Sequence, residues 1–476
     1  MEHELTIIRG ARLFDAMGTE HWNGASIWIE GKQIIGVYGI EAPEAPENAR
    51  ILDFPEGTIL PGLMDSHTHL MYGTGERMSG PKSYDHVNPV DNDGLMLLRS
   101  VRNAYRHLMK AGVTTMRDLG ARNRITFDLK DGASADLFKG FPTLHVCGRA
   151  ITITGGHFHF CNEEADGEIE CRKAVRKLVK EGADFIKVMG SGGGTYITDN
   201  RRASFTVGEL RAIADETHRH GKICTVHAIP TESIANAVEA EFDCIEHYEF
   251  VELDDTRRFN REIAERMIEN EIWLSPTIQT GYRRKEKMLN LQEQRELTEK
   301  EAENLRFFSW KQEGQLYATG KLYEMGARRF LMGTDAISEF GDYAIGLQLM
   351  SEAGLPNREV LLAATRYCAE AFGILDEVGT LEVGKTADIT IVEGDPIADI
   401  KAIANVTQVV KNGYVLPMDS LELFPEGPGE PQIPPKKRNP NPKVIRLPED
   451  EIEAEYDQEH GHVHPHSHPH THPHVH

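Results

Sequence analysis

The chain has 476 residues, with 52 Lys and Arg against 75 Asp and Glu, a formal charge of −23. That acidity argues against a nucleic-acid partner, which needs a basic surface, and against an anionic membrane face. No apolar run reaches the roughly 20 residues needed to span a bilayer, and the start Met1-Glu2-His3-Glu4-Leu5 has neither a basic nor an apolar signal region.

The six cysteines are scattered without a CxxC pair, so reduced thiols and a cytoplasmic location are expected. Histidine is the outlier: 22 in all, nine of them between His460 and His476.

The first 60 residues carry a strand texture. Leu5–Arg9 and Ser26–Glu30 alternate, and Gly31-Lys32 turns the chain before Gln33–Tyr38. The same texture returns at Ala387–Glu393 and Val406–Lys411, where Asn412-Gly413 signals a hairpin. Two strand-rich ends around a long middle predict one small β-sandwich domain built from residues 1–60 and 375–416.

The middle, residues 61–374, alternates short apolar runs with amphipathic stretches. The runs are Thr58–Leu63, Thr114–Asp118, Thr143–Cys147, Phe185–Met189, Cys224–Ala228, Cys244–Tyr248, Ile272–Pro276 and Phe330–Thr334. Thr206 with Glu209 forms a capping box for a helix that ends at Gly221. Eight strands with intervening helices predict an α/β fold, a (β/α)8 TIM-like barrel. An open doubly wound sheet is the alternative, but no glycine-rich dinucleotide fingerprint follows an early strand. Residues 417–476, rich in proline and acids before the histidines, read as a mobile extension, with an edge packing role left open for Leu421, Leu423 and Phe424.

Pro61-Gly62-Leu63-Met64-Asp65-Ser66-His67-Thr68-His69 ends an apolar run in HxH. On a strand, residues two apart face one side, so His67 and His69 can bind one borderline metal together. Alone, the pair reads equally as two polar residues at a strand end. Four more residues sit at C-terminal ends of predicted strands, where barrel active sites form. They are Lys187, His227, His247 and Asp335, and each singly has an ordinary structural reading. Six such residues on five strands are hard to reach by chance.

This constellation, with the lead-in LPGLMDSHTHL, the segments IKVMGSGG, VHA, IEH and GTDA, and the stretch Gly379–Asp388, resembles the amidohydrolase superfamily of metal-dependent hydrolases over roughly residues 1–416. The likeness is closest to its imidazolonepropionase-like and Xaa-Pro dipeptidase-like branch. It implies that His67, His69 and Asp335 hold one divalent metal ion and His227 and His247 a second. Lys187, carbamylated by CO2, bridges both. Zinc is the expected metal, with cobalt, manganese or nickel as alternatives. A protonated Lys would repel two cations, whereas its carbamate is an anionic oxygen ligand. The implied chemistry is hydrolysis of a C–N bond of a small amide-like molecule. A metal-bridging hydroxide attacks, and Asp335 relays the proton to the leaving nitrogen.

Ile153-Thr154-Gly155-Gly156-His157-Phe158-His159 carries the GGH that family members often have, which implies a catalytic His157 in contact with substrate. His159 is left to line the pocket or to bond locally. Where many dipeptidase-like relatives have Tyr after VHA, this chain has Ile229. That departure favours uncharged amides, carbamates or ureas over the alternative substrates, Xaa-Pro dipeptides and acyl-amino acids. Arg149, Arg201 and Arg202 remain as partners for a carboxylate.

Leu70–Gly94 and Thr280–Trp310 are expected to shape the pocket. The latter is a charged helical insertion readable as lid, subunit contact or decoration. A homo-oligomer is expected. The alternating histidines of the tail, broken by Pro465, Pro469 and Pro473, suit metal collection.

Overall fold

The computed structural model describes residues 5–18, 22–72, 92–195, 198–337, 340–424 and 443–447. Met78, Tyr84 and the histidine tail lie outside the described residues, and with them the tail's proposed metal collection.

Both chain ends meet in one seven-stranded sheet. Its order is Tyr414–Val415, Val406–Lys411, Ile389–Glu393, Arg50–Pro61, Leu5–Leu13, Trp22–Glu30, Gln33–Tyr38. The alternation expected for the early strands has its cause here. Ile8, Leu13, Ile27, Ile29, Ile34, Ile59, Ile389, Ile391 and Val410 pack into one buried cluster. Asn412-Gly413 turns the hairpin that pairs Lys411 with Tyr414.

The middle supplies parallel strands. Leu63–Thr68 pairs with Val113–Asp118, which pairs with Thr143–Val146. Ile151–Thr152, Ile186–Met189, Cys224–Pro230, Cys244–Val251 and Trp273–Ser275 follow in parallel register. The Asp184 amide donates to Val146 O at 2.9 Å, bridging the two sets. The segment around Phe330–Ala336 forms no extended strand. It bridges Leu274 at one end and Thr68 at the other, and its backbone bonds to both neighbours. The six residues of Leu63–Thr68, like those of Val113–Asp118, are all buried, as a parallel sheet covered by helices requires.

One boundary differs from the sequence expectation. Thr58–Pro61 completes the long strand Arg50–Pro61 of the first sheet, and the inner strand begins at Leu63. Gly62 is the joint: a Cβ there would lie 2.2 Å from Thr114 Oγ1, so only glycine lets the chain pass.

The Thr206/Glu209 capping box is formed at the start of Val207–Arg219. The insertion is a helix pair, Tyr282–Gln294 and Glu299–Glu324. The first buries no side chain, while the second packs Trp310, Gln315, Ala318 and Leu322 inward. Two pieces of the stretch expected to be mobile are held. Met418–Leu423 forms a 3-10 turn, after which Phe424 stacks on Tyr105 at 4.9 Å. Val444–Ile445 pairs with Arg257–Arg258, and the Leu447 amide donates to Tyr317 Oη. Apolar side chains and an open strand edge outweighed the local composition. Among the described residues no helix is long and apolar enough to cross a membrane.

Candidate active site

The predicted residues converge at the C-terminal ends of the parallel strands. His67 and His69 lie on the strand Leu63–Thr68 and just past it, with ring centroids 5.4 Å apart. Asp335 Oδ1 is 3.3 Å from His67 Nε2 and 3.5 Å from His69 Nε2. Their ligand atoms fall within 4.8 Å of one another. His227 and His247 form a second pair, rings 4.5 Å apart. The His247 ring lies 5.2 Å from that of His67 and joins the pairs.

Each imidazole has one nitrogen tied to an oxygen. His67 Nδ1 lies 2.9 Å from Glu246 Oε2, and His69 Nδ1 3.2 Å from Gly120 O. His227 Nε2 lies 3.0 Å from Gly192 O, and His247 Nδ1 2.6 Å from Thr277 Oγ1. A ring that donates through one nitrogen presents the lone pair of the other, the state a metal ligand needs. Burial, reinforced by Lys187, lowers the His67 pKa and holds that of His227 down at about 3. Burial and then the neighbouring His227 and His67 hold His247 well below the usual range. These three are neutral near pH 7.

Lys187 is the second residue of the strand Ile186–Met189, paired across to Thr225, and is fully buried. Among the described residues its Nζ has no hydrogen-bond partner, an unusual state for a buried amine. Burial lowers its pKa, against the pull of Glu246 and Asp335. A lowered pKa favours the free amine, the nucleophilic form of the side chain. Four imidazoles, one carboxylate and a buried amine therefore form a nitrogen and oxygen donor set that fits borderline divalent ions. Burial works to raise the Asp335 pKa, but His67, His69 and Lys311 outweigh it and hold the carboxyl at about 2.

His157 approaches from the segment after the third inner strand. Its ring is 4.7 Å from that of His227 and stacks on Phe158 at 4.1 Å. The Thr195 amide donates to its Nδ1 at 3.4 Å, and Thr195 Oγ1 lies 2.8 Å from the same atom. With Nδ1 accepting from the Thr195 amide, the ring proton sits on Nε2. A Cβ on Gly193 would stand 2.4 Å from that Nε2. The absence of a side chain at Gly193, the last residue of the segment IKVMGSGG, makes room for the ring. His159 Nε2 is buried without a hydrogen-bond partner. His159 joins neither of the metal-ligand clusters among the described residues.

Sequence reading missed the supporting carboxylates. Glu246 is fully buried and accepts from Arg117 Nη2 at 2.8 Å and Thr225 Oγ1 at 2.7 Å besides facing His67. Its pKa is well below normal: burial pushes upward, but His67, Lys187 and Arg117 prevail. Asp65 accepts from the His67 and Thr334 amides and the Thr334 hydroxyl, and its Oδ2 lies 2.9 Å from His107 Nε2. It thereby fixes the HxH end against the loop carrying Asp335. Asp118 accepts from the Leu70 and Gly120 amides, and burial pushes its carboxyl up to about 6. The motif IEH was the available signal for Glu246.

The arginines considered for a substrate carboxylate are engaged elsewhere. Arg149 is clamped by Glu163 and Glu181 at 2.9 and 2.7 Å, and Arg201 is held by Asp199 at 2.9 Å. Arg202 is exposed beside the same Asp199. Ile229 is buried two residues beyond His227, where it offers hydrocarbon and no donor from its side chain.

Candidate metal-ligand side chains from several strands thus surround one buried lysine, the kind of donor set a metal-dependent hydrolase needs. Residues 58–416 match the Amidohydrolase family model, and the chain belongs to that family. It is a hydrolase acting on carbon–nitrogen bonds of the amide type. It is 27% identical to ochratoxinase of Aspergillus niger over 466 residues, covering 90% of this chain and 88% of that one. Imidazolonepropionase of Anaeromyxobacter sp. (strain K) is 25% identical over 258 residues, 49% of this chain and 59% of its own length. The crystal structure of a Xaa-Pro dipeptidase with bound methionine superposes with a TM-score of 0.73 at 26% identity, covering 87% of this chain and all of that one.

Proposed function

We propose that the protein is a two-metal hydrolase that cleaves the C–N bond of a small uncharged amide, carbamate or urea. The observation that carries this reading is the buried Lys187 Nζ, without a hydrogen-bond partner among the described residues and interacting electrostatically with His67, His227, His247 and Asp335. In this reading the parallel strands close as a (β/α)8 barrel and present that set at one face.

His67, His69 and Asp335 would hold one ion, His227 and His247 the other, and the Lys187 carbamate would span them. Bound there, two divalent cations, zinc foremost, supply a water of lowered pKa and polarise the scissile carbonyl. The remaining work falls to the chain. Lys187 loses a proton and its Nζ bonds the carbon of CO2. The His157 Nε2–H donates to the substrate carbonyl oxygen. Asp335, held anionic, takes the proton of the attacking water at a carboxylate oxygen and delivers it to the departing nitrogen. Among the described residues, Ile229 offers only hydrocarbon and Arg149 and Arg201 are held by carboxylates, which supports an uncharged substrate.

The Xaa-Pro dipeptidase likeness favours a second reading, a dipeptidase or acyl-amino-acid hydrolase. A turnover screen of metal-loaded protein separates them: anilides, carbamates and ureas against dipeptides and acyl-prolines. Preference for free carboxylates refutes the uncharged-substrate reading. Asp335→Asn should lower turnover at least about 100-fold, the scale of lost general acid–base catalysis. Near wild-type turnover in metal-replete Asp335→Asn removes the role assigned to Asp335.

A further inference from the structure

At the opposite ends of two of the same strands lies a second set of ligand atoms. The parallel register pairs Thr225 with Cys244. That places Cys224, first residue of its strand, beside Asp243, which precedes the next. The Asp243 amide donates to Cys224 O, and the Cys224 amide donates to Asp243 Oδ2. The helix Val207–Arg219 brings His218 back over them in its last turn.

His218 Nε2 is 2.9 Å from Asp243 Oδ2 and 3.9 Å from Cys224 Sγ, and Sγ is 3.4 Å from Oδ2. One imidazole, one thiol and one carboxylate thus converge, with all three ligand atoms within 4.8 Å. Tetrahedral zinc with bonds of about 2.0 Å to N and O and 2.3 Å to S needs edges of about 3.3 Å for the N–O pair and about 3.5 Å for each pair with S. The observed edges differ from those by about 0.4 Å or less. Cys224 is buried, whereas the His218 and Asp243 side chains are 40% and 29% exposed. Solvent can therefore reach the cluster and complete a fourth position.

We propose that His218, Cys224 and Asp243 form a binding site for one thiophilic divalent cation, zinc in nature, distinct from the hydrolytic centre. Cys224 and His227 are three residues apart on one strand, about 10 Å along it. The site therefore sits at the strand starts, away from the reacting groups. Coordination requires Cys224 to lose its proton to solvent and bond the cation through sulfur, so one proton is released per ion. Its consequence is a clasp. The helix end at His218 is fastened to the starts of two central strands, so ion binding stabilises the fold.

Cobalt(II) reads this site selectively. The proposed hydrolytic ligands are nitrogen and oxygen, and residues 458–476 contain no cysteine. Only a thiolate gives the near-ultraviolet sulfur-to-cobalt charge-transfer band. The full chain is titrated with cobalt to saturation of all sites. The expected result is a charge-transfer band that saturates with one ion per chain. Cys224→Ser abolishes it, and His218→Ala shifts its midpoint at least tenfold. Circular dichroism and amide hydrolysis of Cys224→Ser stay at wild-type level. Absence of the band in the saturated wild type, or its persistence in Cys224→Ser, overturns the proposal. Because the band ignores the hydrolytic ligands, it reports independently of the proposed activity.

Discussion

Glu246→Gln changes one atom and tests how the site is held. In the wild type, Glu246 Oε2 faces His67 Nδ1 at 2.9 Å, while Oε1 accepts from Arg117 at 2.8 Å and Thr225 at 2.7 Å. Glutamine has one oxygen for these two sides. If its NH2 faces Arg117, two donors oppose each other and a buried guanidinium loses its counter-charge. Breaking one side of a buried pair costs about 3–5 kcal/mol. If its NH2 faces His67, the ring must accept at Nδ1 and move its proton to Nε2. That is the nitrogen aimed at Asp335, 3.3 Å away, and a protonated Nε2 cannot ligate. Loss of such a supporting carboxylate typically weakens metal binding about 10–100-fold. Chelator competition with purified protein measures the affinity, and urea unfolding of the metal-free form measures the stability. The expected result is a loss in at least one, with hydrolysis partly recovered by excess metal when the second orientation prevails. Wild-type metal affinity together with wild-type stability would falsify the claim that Glu246 sets the His67 tautomer and neutralises Arg117.

Lys187→Met should lower metal content from two ions towards one and abolish turnover, while the metal-free protein stays at least as stable as wild type, because a buried amine has been removed; elemental analysis and urea unfolding check both, and retained two-ion loading contradicts the bridging role. Gly193→Ala should displace the His157 ring and reduce kcat/KM at least tenfold without changing metal content; unchanged kinetics would show that His157 does not meet the substrate. Glu249, salt-bridged to Arg257 and Lys311, titrates at about 2, since those cations outweigh the upward push of burial. Its unfolded value is about 4.3, so its contribution of about 3 kcal/mol is complete above that pH and declines as pH falls towards 2. The stability gap between wild-type and Glu249→Gln metal-free proteins should therefore narrow by about 2 kcal/mol from pH 6 to pH 3, and a gap independent of pH rules this out.

The parts of the site legible from sequence are those on regular strands. His67 lies on a strand with His69 one residue past its end, and Lys187 and His227 lie in apolar runs that do form strands. The illegible parts sit where the backbone leaves regular strand geometry. His247 has φ +72° and Tyr248 φ +34°, inside a stretch that sequence treats as ordinary strand. With regular alternation, Glu246 and His247 would face opposite sides of the sheet, and Glu246 would be dismissed as a helix-facing or solvated acid. The left-handed turn lets both serve one centre, Glu246 behind the His67 ring and His247 beside its front. Asp335 at φ +54° belongs to the same class, on a segment that reads as a strand but only bridges its neighbours. A β-branched or bulky residue resists that region, whereas Asp tolerates it comparatively well.

Such backbone strain costs of order 1–3 kcal/mol per residue and persists only where surrounding bonds overdetermine it. Here those bonds are visible. Asp65 holds the Thr334 amide and hydroxyl one residue before Asp335, and the Asp335 amide itself donates to His67 O at 2.8 Å. On the other side, Thr277 at φ +46° meets His247 Nδ1. The strained positions and their braces thus come from different strands, up to 269 residues apart in sequence. A local motif can therefore reveal that a ligand is present, but only the assembled sheet determines which way its lone pair points.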